Sequence, residues 1–131
     1  MTAAEVSLFT TFDFPLRPLR ITEGWRLSYN DFCDVPFDHP EAWRYAFKDS
    51  LLMLTHGRRG MLVDLGWYPD GDASGGYLLR VFEGDHAGAE RHAFESRDPV
   101  AVTAELERLL DAINRGRFPV AGADQPDLEA P

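Results

Sequence analysis

Carboxylates interleaved with aromatic rings are the densest chemistry in this 131-residue sequence. Asp31, Asp34, Asp38 and Glu41 fall within eleven residues, among Phe32, Phe37 and Trp43, and Asp49 follows. Such a surface can dock a basic partner, because charge steers the encounter and rings anchor it. The plainer alternative is a solvated loop whose aromatics fill the core. A second acidic stretch, Asp70-Gly71-Asp72-Ala73-Ser74-Gly75, opens like a calcium loop. There, alternate oxygen side chains converge on one cation and a glycine permits the sharp turn. The pattern then fails. Its twelfth position is Val81 instead of a bidentate Glu, and strand-like runs flank it. Asp and Gly are also what a hairpin loop selects. Asp31, Asp34, Asp38, Glu41, Asp70 and Asp72 are therefore the candidate partner-binding set.

Nucleophilic and metal chemistry have no comparable signal. His39, His56, His86 and His92 form no i, i+4 pair and have no ligand spacing to Cys33. A site built from Cys33, His39 and His56 would need the fold to gather them. Asp34 stands beside Cys33, and a neighbouring negative charge disfavours a reactive thiolate. Gly75-Gly76 precedes a strand and lacks the Lys-Ser/Thr of a phosphate loop, and there is no G-x-S-x-G elbow. No catalytic residue, metal or cofactor is expected.

Composition bounds the partners. There are 13 basic and 22 acidic residues, for a net charge of −9. Nucleic acid and anionic membrane both require the opposite sign. No apolar run approaches the ~18 residues of a membrane span. The opening Met1-Thr2-Ala3-Ala4-Glu5 lacks the pattern of a secretory signal. One cysteine excludes an internal disulfide framework and fits a reducing compartment, so a cytoplasmic location is expected. Lys48 is the single lysine beside 12 arginines, a bias that points to a GC-rich bacterial genome.

These residues need elements to hold them. Residues 24–32 alternate, with Trp25, Leu27 and Tyr29 on one face of a half-buried strand. The preceding stretch is extended, with Pro15 and Pro18 suiting an edge. Residues 5–12 suggest one more strand. Residues 38–48 predict a short helix, capped by Asp38, with Trp43 and Phe47 four apart on one face. Runs from Leu51 to Leu54, Met61 to Trp67, Tyr77 to Glu83 and Arg91 to Ser96 predict strands. A symmetric hairpin over 61–83 places Trp67 opposite Tyr77, Leu65 opposite Leu79 and Asp64 opposite Arg80. A one-residue slip would lose these pairs together. Asp98 and Pro99 start a helix with its apolar stripe at Val102, Leu106, Leu109, Leu110 and Ile113, ended by Gly116. The expected architecture is α+β: an antiparallel β-meander of about five or six strands. The C-terminal helix packs on one face and a short helix lies near 39–48. The domain covers 1–118, and residues 119–131 read as a disordered acidic tail.

Three segments carry a resemblance: Ile21–Phe32, Leu62–Asp70 and Arg97-Asp98 with its helix. Together they resemble small bacterial proteins, some of them similar to immunity proteins of polymorphic toxin or contact-inhibition systems. The resemblance implies a small acidic domain that neutralises a partner, and it assigns no binding residue. Three readings follow. The first is a non-catalytic immunity protein that occludes a basic toxin, its carboxylates standing in for a phosphate backbone. Charge reversal at Asp34 and Asp38 is then expected to slow association. The second is a small enzyme or ligand-binding domain with a pocket between sheet and helix, lined by Trp25, Trp67 and Tyr77. The third is a structural domain that forms a homodimer through an exposed sheet edge or face.

Overall fold

The hairpin register organises the molecule. In a computed structural model, which describes residues 14–118, strand β3 (Met61–Tyr68) pairs with β4 (Gly76–Glu83) from Met61↔Glu83 to Tyr68↔Gly76. This is the symmetric register expected from the side-chain pattern, including Trp67↔Tyr77 and Asp64↔Arg80. Strands β1 (Trp25–Asn30), β2 (Leu52–His56) and β5 (Glu90–Ser96) complete a five-stranded antiparallel meander in the order β1-β2-β3-β4-β5. With helices α1 (Ala42–Tyr45) and α2 (Pro99–Asn114) the fold is α+β, as expected. The residues 5–12 and 119–131 singled out in the sequence lie outside the described residues. Among the described residues, no helix is long and apolar enough to cross a membrane.

Period-2 alternation divides the sheet into two faces. Leu54, Val63, Leu65, Leu79 and Val81 point to the face covered by α2, whose Val102, Leu106, Leu109, Leu110 and Ile113 are buried against them. The helix starts as its sequence dictates, with Asp98 accepting from the Val100 N–H at 2.9 Å and Pro99 in the first turn. It ends before Gly116, at φ +74°. Glu105, a carboxylate on the same helix, is also buried. Its carboxylate meets His92 of β5 at 2.8 Å and also pairs with Arg108.

Two local expectations change. Strand β1 carries a bulge between Leu27 and Tyr29, so Leu27 aligns with Leu54 while Tyr29 aligns with Met53. One extra residue moves Tyr29 to the face away from α2. The short helix is a single turn, and Asp38 does not cap it: Glu41 holds the N-cap position without a side-chain bond. Ring packing stabilises this turn, with Trp43 and Phe47 stacked at 4.5 Å between centroids. The extended stretch before β1 makes one isolated bridge, Leu16 with Cys33. It is fixed by Arg17 N–H to Phe32 O and Asp34 N–H to Pro15 O, each 2.8 Å.

Candidate functional site

One end of the meander collects both acidic segments. There β1 and β3 finish, β2 and β4 begin, and β5 runs out into α2. Asp31 directly follows β1, and its N–H donates to Leu51 O at 2.6 Å. Asp49 precedes β2, and its N–H donates to Asp70 Oδ2 at 3.2 Å. The 69–75 loop is pinned to the α1 segment by the Gly71 N–H, which donates to Phe47 O at 2.7 Å. Gly71 has φ +69°, and a Cβ there would come within 2.9 Å of Trp43 O, so this junction requires glycine. Asp31, Asp49, Asp70 and Asp72 are all exposed at this end.

The remaining candidates are placed differently. Asp34 is exposed but already paired, with Arg17 Nη1 3.1 Å from its Oδ1. Asp38 is exposed and Glu41 half-buried on the connection leading into α1. They share that connection with Asp31 and Asp49 and make no hydrogen bond to the 69–75 loop. Asp72 Oδ1 accepts from Ser74 N–H at 2.8 Å and from Ser74 Oγ at 2.7 Å. These two bonds hold the Asp72 carboxyl below its ordinary range. One oxygen of each loop carboxylate is thus engaged within the fold, Asp72 Oδ1 by Ser74 and Asp70 Oδ2 by the Asp49 N–H. Among the described residues, no group of three His, Cys, Asp or Glu side chains could hold a metal ion.

Trp25, Trp67 and Tyr77 do not line one pocket. Trp67 is fully buried and stacks among Phe37, Trp43, Phe47 and Tyr77, the last at 4.9 Å in an edge contact. Burial pushes the Tyr77 phenol well above its ordinary range. Trp25 stands at the other end of the sheet, paired with His56 in register. Its ring lies edge-on to His56 at 5.0 Å, and its Nε1 donates to Leu110 O at 3.1 Å. The space between sheet and helix at these rings is packed core.

Two features escaped the sequence reading. The first is a charged cluster on the sheet face away from α2. Asp64, buried in the sheet, meets Arg80 at 3.3 Å and His86 at 3.6 Å. Tyr68 donates its hydroxyl to Asp49 O at 3.1 Å and accepts from Arg80 at 3.4 Å. Burial, then the Asp64 charge, raise the Tyr68 phenol above its ordinary range. Only Asp64 opposite Arg80 was legible, because His86 arrives from a loop. The second feature is a groove of about 470 Å³ at the acidic end, where β4 begins. Its signal was the Gly75-Gly76 pair, which leaves a strand start without side chains.

The chain matches no family model, and comparisons with curated proteins and with solved structures also find no match.

Proposed function

We propose that this chain is a non-catalytic binding domain whose acidic end docks a basic protein. In its most concrete form it is a cytoplasmic bacterial immunity protein that occludes a toxin's active site. The observation that supports this reading is the junction of two acidic segments some twenty residues apart, made by Asp49 N–H on Asp70 and Gly71 N–H on Phe47 O. Exposed carboxylates on a framework fixed by backbone bonds and stacked rings need little reordering when a partner arrives. That lowers the entropic cost of association. Their shared sign, in a chain of net charge −9, accelerates encounter with a cationic surface and repels phosphate backbones.

The test is affinity capture with the full chain from its source organism, elution by a salt gradient, and identification by mass spectrometry. The expected result is a basic protein encoded beside this gene, eluting at moderate salt, whose toxic activity the purified chain blocks. Absence of any basic partner under gentle conditions, or a partner whose activity the chain leaves intact, would overturn the reading.

A further inference from the structure

We propose that β5 is a self-recognition edge: two copies of this chain join their β5 strands antiparallel about a twofold axis at Ala93 and continue one sheet across both. The proposal goes beyond the docking reading and needs no foreign partner.

The two edges of the sheet are treated differently. β1 is guarded. A bulge interrupts it between Leu27 and Tyr29, and the chain before it closes the neighbouring flank of α2. There Arg17 Nε donates to Thr103 Oγ1 at 2.8 Å, the Arg20 N–H to Glu107 at 2.7 Å, and Thr22 Oγ1 to Leu110 O at 3.3 Å. Bulges and covering segments keep an edge from pairing with another chain. β5 is open. Its one register shift falls at its start, between Glu90 and His92, and His92–Ser96 run unbroken along β4. Among the described residues no strand pairs with its outer edge. The flank of α2 above it is marked by Glu105 on His92. By the helix period Ala101, Ala104, Arg108 and Ala112 share that flank. Three are alanines, and Arg108 pairs with Glu105, so a second helix can come close.

Side chains select the register. Arg91, Ala93 and Glu95 are the exposed positions along the strand, with half-buried His92 and Phe94 between them. With the axis at Ala93, Glu90–Ser96 pairs over its whole length. Arg91 then faces Glu95 of the other copy, His92 faces Phe94, and Ala93 meets itself. With the axis at His92, Arg91 would face Ala93. With the axis at Phe94, it would face Arg97. An axis between residues would set opposite strand faces against each other. Arg91 already reaches Glu83 at 2.9 Å, but 39% of its side chain stays exposed and its guanidinium has donors for a second carboxylate. Backbone hydrogen bonds along the added strand supply the affinity, and the two symmetric charge pairs fix the register. Because the joined strands are antiparallel, the two acidic ends point in opposite directions and both stay open.

Sedimentation equilibrium of the full chain alone, from micromolar to millimolar concentration, is the test. A reversible monomer–dimer equilibrium is expected. Arg91→Glu and Glu95→Arg are each expected to weaken it about tenfold, because both symmetric contacts turn repulsive. Combining the two is expected to restore it, and circular dichroism checks that each variant folds. Cysteines in a Cys33→Ser background read the register. Opposed Cα atoms lie about 4.5–5.5 Å apart, within disulfide reach, so Ala93→Cys is expected to cross-link on mild oxidation. Glu95→Cys is not, since its two copies stand about 14 Å apart along the strands. A chain that stays monomeric throughout, a dimer indifferent to the charge reversals, or equal cross-linking of both cysteine variants would overturn the proposal. Capture of a basic partner by a strictly monomeric chain would leave the docking reading standing.

Discussion

Asp64 and Arg80 meet across β3 and β4 on the sheet face away from α2, with Asp64 Oδ2 and Arg80 Nη2 3.3 Å apart. Asp64 is buried, while Arg80 keeps about a quarter of its side chain in solvent. Arg80 also lies over the rings of Tyr68 and Phe82 at 5.7 and 5.2 Å. Removing the cation leaves a buried carboxylate whose remaining side-chain neighbour in the cluster, His86, is half-exposed. Arg80→Leu is expected to cost about 3 kcal/mol in urea unfolding, since breaking a buried pair strands one charge. The double variant Asp64→Leu/Arg80→Leu is expected to recover most of that loss, because no charge is then stranded. Equal destabilisation of single and double variants would show that packing by Arg80, rather than its charge, matters here.

Asp98 supplies a second stability test at the start of α2. Its Oδ1 accepts the Val100 N–H at 2.9 Å, satisfying one of the helix's orphan donors. Asp98→Ala is expected to cost about 1 kcal/mol, and Asp98→Ser much less. Thermal unfolding of both variants checks it.

The residues that face each other were the readable part of this fold. Two apolar runs, Met61 to Trp67 and Tyr77 to Val81, each interrupted by one charge that meets the other in register, left the hairpin a single pairing. The α2 stripe was legible for the same reason: cap, proline, spacing and glycine agreed. The burial of Glu105 was not legible, because a carboxylate on a helix normally stays wet and its partner, His92, comes from a strand. Tyr29 misled because a bulge has no side-chain signature in WRLSYN. For the candidate site, each acidic segment was visible in sequence, but their junction was not. It is made by backbone N–H groups of Asp49 and Gly71, which every sequence contains. Trp25 was grouped with Trp67 by residue type, and the meander sends the two to opposite ends.

Tyr77 gives an alkaline signature. Burial holds its phenol neutral well past the ordinary tyrosine range, whereas the unfolded chain releases the proton near pH 10. Above that pH the unfolded state binds fewer protons than the folded one, so stability falls as pH rises. Below it the contribution is fully present. Tyr77→Phe is expected to flatten the decline in urea midpoint above pH 10. An unchanged slope would assign the alkaline loss to other groups.

Asp72 gives the acid counterpart. Its carboxyl titrates below the ordinary value because Ser74 donates twice to its charged form. Stability from this turn is present above the unfolded carboxyl pKa of about 3.8 and is lost as pH falls through the lower folded value. Ser74→Ala removes the hydroxyl bond, the larger of the two effects, and is expected to move the Asp72 midpoint up toward the unfolded value. The carboxyl carbon shift, followed by NMR against pH, reads it directly.

The docking reading proposed above predicts a kinetic asymmetry among the carboxylates at this end of the sheet. Asp34 shares its charge with Arg17 at 3.1 Å, while Asp31 and Asp49 project it from backbone positions fixed at the sheet end. Exposed, unpaired charges at a rim act chiefly on the association rate, and salt screens them over about 10 Å. Asp31→Lys with Asp49→Lys is therefore expected to slow association with the basic partner about tenfold at low salt. The dissociation rate should stay nearly constant, since related interfaces hold the two rates apart in this way. Asp34→Asn is expected to change association less than Asp31→Asn, because Arg17 already offsets the charge it removes. Stopped-flow association at low and high salt separates the cases. If the double reversal leaves the salt dependence as steep as in the wild-type chain, the partner approaches by another face and this end of the sheet is not its landing site.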